Sequence, residues 1–369
     1  MSDYIGIIDA DLISRGNHRF PNLASMKISS YHKSIGDDVK LLTDYNSLDQ
    51  YDKVYISKVF TDTSVPDEIL GLDNVVIGGT GFYYDKAPPL QPEIEHRMPD
   101  YSLYDEWVQE RIKAGAKHTE LQGYTDYSIG FLTRGCFRQC KFCVNQNYKR
   151  VAKASPLSEF YDSSRKKILL LDDNFLGYSG WKEEMKELAK TGRRFIFKQG
   201  LDFRLLNDEK CAVLFTSKYD GRKFFSFDNY DDMEIMERKL KLVRKYTNEA
   251  LRFYVFTGFD RENKWDYDFW VRDLFELFER IKFLGEYGCL PYITRFNRYK
   301  ESPYKDIYIN VARWCNQPSM FGKMTMLEFA ELEHDKYGRK SNIRAVKNLM
   351  ENEPQMTDYL TNVKYKRAG

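Results

Sequence analysis

The hydrophobic pattern divides the chain into two runs of alternating elements. Tyr4-Ile5-Gly6-Ile7-Ile8-Asp9 is an apolar run closed by an acid, the signature of a strand buried on both faces. Ala24, Ile28, Tyr31 and Ile35 follow at helical spacing, and Gly36 is placed to cap that helix. Val39-Lys40-Leu41-Leu42, Lys53-Val54-Tyr55-Ile56-Ser57 and Val75-Val76-Ile77-Gly78-Gly79 predict three further strands. Short strands joined by helical or irregular segments predict an α/β unit with a parallel, doubly wound sheet over residues 1–92. The Pro-rich Ala87-Pro88-Pro89-Leu90-Gln91-Pro92 closes it, and residues 93–126 read as a partly helical linker.

From Tyr127 the alternation restarts. Ser128–Leu132, Lys167–Leu171, Arg194–Lys198, Lys223–Phe227, Leu251–Thr257 and Leu290–Arg295 predict six strands. Trp181–Lys190, Met233–Tyr246 and Phe269–Glu286 predict helices between them. Six β/α units over residues 127–307 are too few for a closed eight-stranded barrel. Residues 308–369 read as helical, with Glu328–Tyr337 and Asn342–Glu351 the clearest segments. No internal repeat or low-complexity tract is present.

The chain of 369 residues is 42% hydrophobic and 30% charged, which places it in the soluble globular class. No apolar run approaches the roughly 18 residues that span a bilayer, so no membrane partner is expected. Met1-Ser2-Asp3-Tyr4 lacks a basic segment followed by an apolar core, so no secretory signal is expected. Six cysteines in a chain this long are too few for a disulfide scaffold, and the cytoplasm is the expected compartment. A net charge of +2 decides nothing about a nucleic-acid partner, because a balanced total can hide a basic face. The 27 Tyr and 25 Phe fall mostly inside apolar runs, where they fill a core.

The sharpest chemical signal is Gly135-Cys136-Phe137-Arg138-Gln139-Cys140-Lys141-Phe142-Cys143, a C-x3-C-x2-C run behind the first strand of the second alternation. Three thiolates on one loop can hold three irons of a 4Fe–4S cluster and leave the fourth iron open. Structural zinc wants four ligands, and the nearest other cysteine, Cys211, and the nearest histidine, His118, both lie outside the loop. The spacing resembles that of the radical S-adenosylmethionine superfamily. The resemblance implies that Cys136, Cys140 and Cys143 bind the cluster and that the open iron chelates S-adenosylmethionine. Reductive cleavage then gives a 5′-deoxyadenosyl radical that abstracts hydrogen from a substrate. It also implies that Phe142, before the third cysteine, lies near the adenine, and that the six β/α units form a partial (β/α)6 barrel. A flavodoxin- or ferredoxin-like electron donor is the implied partner.

Leu169-Leu170-Leu171-Asp172-Asp173-Asn174-Phe175 ends the second strand of this part. Barrel chemistry gathers at the C-terminal ends of strands. The superfamily often has a Gly-Gly-Glu-type motif here. Asp172, Asp173 and Asn174 instead resemble the branch that carries an N-terminal cobalamin-binding-like domain, and are expected to hold the cofactor; a helix cap is the rival. Asp202 and Arg204 after the third strand are candidates for the adenosyl part or for an internal pair. Asp228 after the fourth is a candidate for the ribose or the methionine carboxylate. Arg295 and Arg298 after the sixth suggest an anionic group, with surface charges as the alternative. They tilt the substrate expectation toward a nucleic acid or nucleotide.

Relatives that ligate cobalt carry Asp-x-His-x-x-Gly after the first strand. Here Asp9-Ala10-Asp11-Leu12 has no histidine at that offset, which argues against bound cobalamin. Gly78-Gly79-Thr80-Gly81 reads as a tight turn rather than a phosphate loop. Cys211, Cys289 and Cys315 read as buried thiols rather than a second cluster. Lys149-Arg150-Val151-Ala152-Lys153 and Lys364-Tyr365-Lys366-Arg367 are solvated charge or phosphate contacts. A non-catalytic metal- or nucleic-acid-binding protein, stapled by the cysteine loop, is the alternative to an enzyme.

Overall fold

The computed structural model describes residues 2–16, 18–145 and 147–366. It is a mixed α/β structure with parallel sheets, divided into two compact units, Met1–Ile196 and Phe197–Gly369.

The first unit opens on β1 (Tyr4–Asp9), α1 (Ala10–Ser14), α2 (Leu23–Ser34), β2 (Asp38–Leu42), β3 (Lys53–Ser57) and β4 (Val75–Gly78). The strands pair in parallel in the order β2-β1-β3-β4. Ile5, Ile7 and Ile8 of β1 are fully buried, each contributing about 1.5–3 kcal/mol. Strand alternation sends Ile5 and Ile7 into one core with Met26 and Ile28 of α2, and Ile8 into another with Leu42, Val54 and Ile56. Gly6 faces the second core, where a Cβ would come within 2.9 Å of Leu42.

Next come α3 (Thr80–Tyr83), α4 (Pro92–Glu95), α5 (Asp105–Lys113) and α6 (His118–Thr125). Residues 93–126 do more than link. Ile94, Leu103, Tyr104, Val108, Leu121 and Tyr124 are buried in the same core as Ile5 and Ile7. Then follow β5 (Tyr127–Gly130), β6 (Thr133–Arg134), β7 (Ala152–Lys153), β8 (Lys167–Leu170), α7 (Trp181–Lys190) and β9 (Arg194–Phe197). β5, β8 and β9 form a three-stranded sheet in which β5 and β8 run parallel. β6 and β7 pair antiparallel as a two-residue ribbon.

The second unit contains α8 (Asp208–Thr216), β10 (Phe224–Ser226), α9 (Met233–Val243), β11 (Arg252–Thr257), α10 (Tyr267–Glu286) and β12 (Leu290–Arg295). β10, β11 and β12 are parallel neighbours, and Leu201 adds a bridge to Phe225. Phe253, Val255 and Thr257 of β11 are buried on one face, while Tyr254 and Phe256 alternate onto the other. The chain ends in α11 (Lys305–Cys315), α12 (Pro318–Phe321), α13 (Met326–Tyr337), α14 (Lys340–Asn352) and α15 (Thr357–Asn362). No helix among the described residues is long and apolar enough to cross a membrane.

Candidate functional site

The cysteine loop is an excursion from the β6–β7 ribbon, whose register sets Thr133 opposite Lys153 and Arg134 opposite Ala152. Gly135 opens the loop at φ 95°, where a side chain would be strained, and a Cβ would meet the Arg150 carbonyl at 2.3 Å. Gln139, between Cys136 and Cys140, also adopts a left-handed backbone at φ 52°, and its side-chain amide donates to the Tyr148 carbonyl. The Cys143 N–H donates to the Cys140 carbonyl at 2.9 Å, closing a turn. All three thiols are half-buried.

The polar residues after β8 fasten this loop. Asp172 is 1% exposed and accepts from the Leu132 N–H at 3.2 Å, the Thr133 N–H at 2.7 Å and the Thr133 hydroxyl at 2.6 Å. Burial pushes its carboxyl up to about 7 against those donors. Asp173 accepts from the Gly135 N–H and from the Asn145 side-chain amide, both at 2.7 Å. One carboxylate therefore grips the residue before Cys136 and the second residue after Cys143. Burial raises its pKa as well. Asn174 is 3% exposed and donates to the Cys136 sulfur at 3.3 Å. The N–H groups of Arg138 and Asn145 point at the sulfurs of Cys136 and Cys143, each at 3.4 Å. N–H donors at sulfur tune any iron that sulfur holds.

Sequence reasoning placed Asp172 and Asp173 at the right strand end but took them as cofactor ligands. In the structure Asp172 bonds Leu132 and Thr133 just before the cysteine loop, and Asp173 bonds Gly135 and Asn145 at its two ends. Thr133, Gly135 and Asn145 were not singled out. The available signal was an Asn two residues beyond the last cysteine, a spacing that only gains meaning from the loop's return path.

Among the described residues, no group of three or more His, Cys, Asp and Glu is gathered as the ligands of one metal ion. A cubane makes a different demand, since each of three thiolates holds its own iron. The donor set fits such a group. One further feature fits the methionine part of S-adenosylmethionine: the buried Asn174 Oδ1 accepts no hydrogen bond among the described residues. A buried acceptor without a donor costs about 1–3 kcal/mol, which an incoming ammonium would recover. Phe142 is half-buried, and the Tyr84 hydroxyl donates to its carbonyl at 3.4 Å.

The candidates of the second unit meet carboxylates and backbone. Asp202 accepts from the Arg204 N–H at 3.2 Å and from its Nε at 2.9 Å, and Arg204 also reaches Asp232 at 2.6 Å. That is the geometry of an internal pair that orders the loop. Asp228 accepts from the Phe256 N–H at 3.0 Å, and desolvation pushes its carboxyl up to about 6. Arg298 forks onto Glu301 at 2.6–2.9 Å and stacks on Trp265, while Arg295 lies over Tyr299. Cys211, Cys289 and Cys315 are fully buried, and burial pushes the first two up to about 11 and about 12.

At the C-terminal end of β1, Asp9 is fully buried and accepts from the Tyr104 hydroxyl at 2.9 Å and the Leu12 N–H at 3.3 Å. Desolvation pushes its carboxyl up to about 7. Asp11 accepts from the Val59 N–H at 2.6 Å and from the Thr63 hydroxyl. Gly79 and Gly81 press on the Lys58 backbone, where a Cβ would lie 2.3 and 3.0 Å from its carbonyl oxygen, so the glycine run is a close-packed turn.

No protein-family model matches the chain. No curated protein matches it either. Among solved structures it is similar to the cobalamin-dependent S-adenosylmethionine radical enzyme OxsB with aqua-cobalamin bound. The identity is 13% and the TM-score 0.38, covering 80% of this chain and 49% of that one. The apo, selenomethionine-labelled form of the same enzyme gives 13% and 0.37 with the same coverage. The chain spans about half the length of that enzyme.

Proposed function

We propose that the chain is a radical S-adenosylmethionine enzyme in which Cys136, Cys140 and Cys143 hold a 4Fe–4S cluster. The observation that carries this reading is the C-x3-C-x2-C loop held at both ends by Asp173, with Asn174 donating to the first sulfur. The bound cluster supplies the electron that cleaves S-adenosylmethionine to a hydrogen-abstracting radical. The chain's own residues do the rest. Asp173 holds the loop's entry and exit, and Asp172 holds Leu132 and Thr133 just ahead of it. The N–H donors of Arg138, Asn145 and Asn174 stabilise negative sulfur. Asn174 Oδ1 receives the amino group of S-adenosylmethionine, and Phe142 packs beside the adenine. The six strands β5 and β8–β12, in chain order, are read as the partial (β/α)6 barrel of such enzymes, with Asp202, Arg204 and Asp228 on its strand-end loops. The first four strands are read as the cobalamin-binding-like domain, without cobalamin. A flavodoxin- or ferredoxin-like protein is the proposed electron donor.

Anaerobic reconstitution with iron and sulfide tests this. The protein is expected to hold about four irons per chain, bleach in air and release 5′-deoxyadenosine under reduction. Replacing Cys136, Cys140 or Cys143 with Ala is expected to abolish iron binding and 5′-deoxyadenosine release. Stoichiometric zinc with four protein ligands in place of iron would sink the reading.

A further inference from the structure

From Tyr127 to Ser158 the chain carries six cations, Arg134, Arg138, Lys141, Lys149, Arg150 and Lys153, and no Asp or Glu. At the chain's average composition about five acids would fall in such a stretch. The imbalance is concentrated on the segment that forms the cysteine loop. At the loop's base it is answered: Arg134 lies 3.7 Å from Glu95, and Lys153 lies 2.5 Å from Glu184. At its rim, Lys149 and Arg150 are exposed, and among the described residues neither has a carboxylate within ion-pair distance.

Aromatic side chains stand among these charges. Phe137 and Tyr148 are each 39% exposed, and Tyr84 is 45% exposed. They belong to one surface. Tyr148 packs against Gly135, Tyr84 donates to the Phe142 carbonyl, and the Asn147 amide donates to the Asp85 carbonyl. The basic and aromatic residues therefore frame the three cysteines.

We infer that the rim of the cysteine loop is a docking surface for single-stranded nucleic acid, with Lys149 and Arg150 on phosphates and Phe137 and Tyr148 stacking on bases. Lysine is depleted in protein–protein interfaces, whereas lysine and arginine beside exposed rings suit a flexible polyanion with flat bases. The inference shares its location with the proposed chemistry and deepens its substrate class. Binding is read without turnover, so the failure of one is distinguishable from the failure of the other.

Fluorescence anisotropy tests it, with the full chain and a labelled single-stranded RNA of about 20 nucleotides, from about 50 to about 200 mM salt. Binding is expected to weaken steeply with salt. Lys149→Glu with Arg150→Glu is expected to lower affinity at least about tenfold and flatten the log–log salt slope by about 1.4, two phosphate contacts' worth. Phe137→Ala with Tyr148→Ala is expected to cost about fivefold or more at an unchanged slope. Lys186→Glu with Lys190→Glu, the same charge change on the exposed face of α7, is the control and is expected to bind as wild type. Circular dichroism and iron content establish that each variant is folded. The inference is overturned by an absence of salt-dependent binding, by a rim variant that binds as wild type, or by a control that loses as much as the rim variant. Competition by poly-glutamate equal to that of poly-uridine also overturns it, and assigns the surface to an acidic protein.

Discussion

The first unit contains two parallel sheets, and a strand of each ends in a pair of carboxylates that do similar work to different ends. After β1, Asp9 is buried with its pKa pushed to about 7, and Asp11 grips the Val59 N–H in the loop after β3. After β8, Asp172 is buried with its pKa pushed to about 7, and Asp173 grips the Gly135 N–H in the cysteine loop, which follows β5 and β6. In both, a neighbouring strand's loop is tied by a carboxylate across the strand ends. The difference lies in what remains. Thr63 takes the other oxygen of Asp11 and Tyr104 donates to Asp9, so the carboxylates of that end are closed off by protein partners. Beyond Asp173 stands Asn174, with one amide atom on a cysteine sulfur and the other without a partner among the described residues. The same device is spent on packing at one strand end and holds the cysteine loop at the other.

Large effects, on stability at both ends and on iron at the cysteine loop, should come from cutting the two grips. Asp173→Ala strands the Gly135 N–H and the Asn145 amide, and should cost about 2–4 kcal/mol of stability by thermal or denaturant unfolding. It should also lower the iron retained after reconstitution. Asp11→Ala strands the Val59 N–H and the Thr63 hydroxyl and should cost a similar amount, with iron per folded chain unchanged. Equal loss of iron in both variants would break the distinction between a packed end and a loop-holding end.

Proton linkage sharpens the closed end. Asp9 titrates near 3.8 when exposed and near 7 when folded, so between those values the native state binds more protons than the unfolded state. Its protonated form favours the fold below about pH 4, and this stabilisation is lost as pH rises to about 7. Over that interval the single group withdraws about 4 kcal/mol. Asp9→Asn, which stays neutral, should flatten this part of the stability–pH curve; its Oδ1 can accept from Leu12 while its amide donates to the Tyr104 oxygen. An unchanged slope would mean that Asp9 is not the titrating group.

The strands were legible because each is an apolar run with polar ends. The six expected from Ser128 onward all occur, their ends displaced by at most two residues, as with Tyr127–Gly130 and Phe224–Ser226. The core role of residues 93–126 was not legible. Ile94, Leu103, Tyr104, Val108, Leu121 and Tyr124 are spread over short helices and turns, and no single period joins them. The β6–β7 ribbon is two residues deep, too short for any alternation to register. At the site, the cysteines announced themselves by spacing. The partners of Asp172 and Asp173 did not, because which backbone N–H a carboxylate meets depends on the loop folded over it. For Arg298 the sequence left a substrate cation and a surface charge both open, and its fork onto Glu301, three residues on, fits the surface charge.

A smaller effect isolates the unspent half of Asn174. Asn174→Ala should weaken S-adenosylmethionine binding about tenfold, the equivalent of about 1.4 kcal/mol for one hydrogen bond to a charged group. Isothermal calorimetry on anaerobically reconstituted protein reads this, with iron content as the parallel measurement. Loss of iron in step with affinity would assign the residue wholly to the Cys136 sulfur.

The smallest expected signal is a zero, and it bears on what the closed end implies. A ligand at the C-terminal ends of β1 and β3 would lie at the switch point of the 2-1-3-4 sheet, where open α/β sheets bind their cofactors. Here Asp9, Asp11, Asn22, Ser57 and Thr63 are all buried at or near those ends. They bond one another, Tyr104 and the Val59 backbone. Admitting a corrin would mean breaking these bonds, and β1 offers no histidine to repay the cost through cobalt. Protein incubated with hydroxocobalamin and desalted should therefore retain no corrinoid absorbance, in wild type and in Asp11→Ala alike. Retention by Asp11→Ala alone would show that the carboxylate is the gate. Stoichiometric retention by wild type would show that the end opens, and would move methyl transfer or related cobalt chemistry to the front.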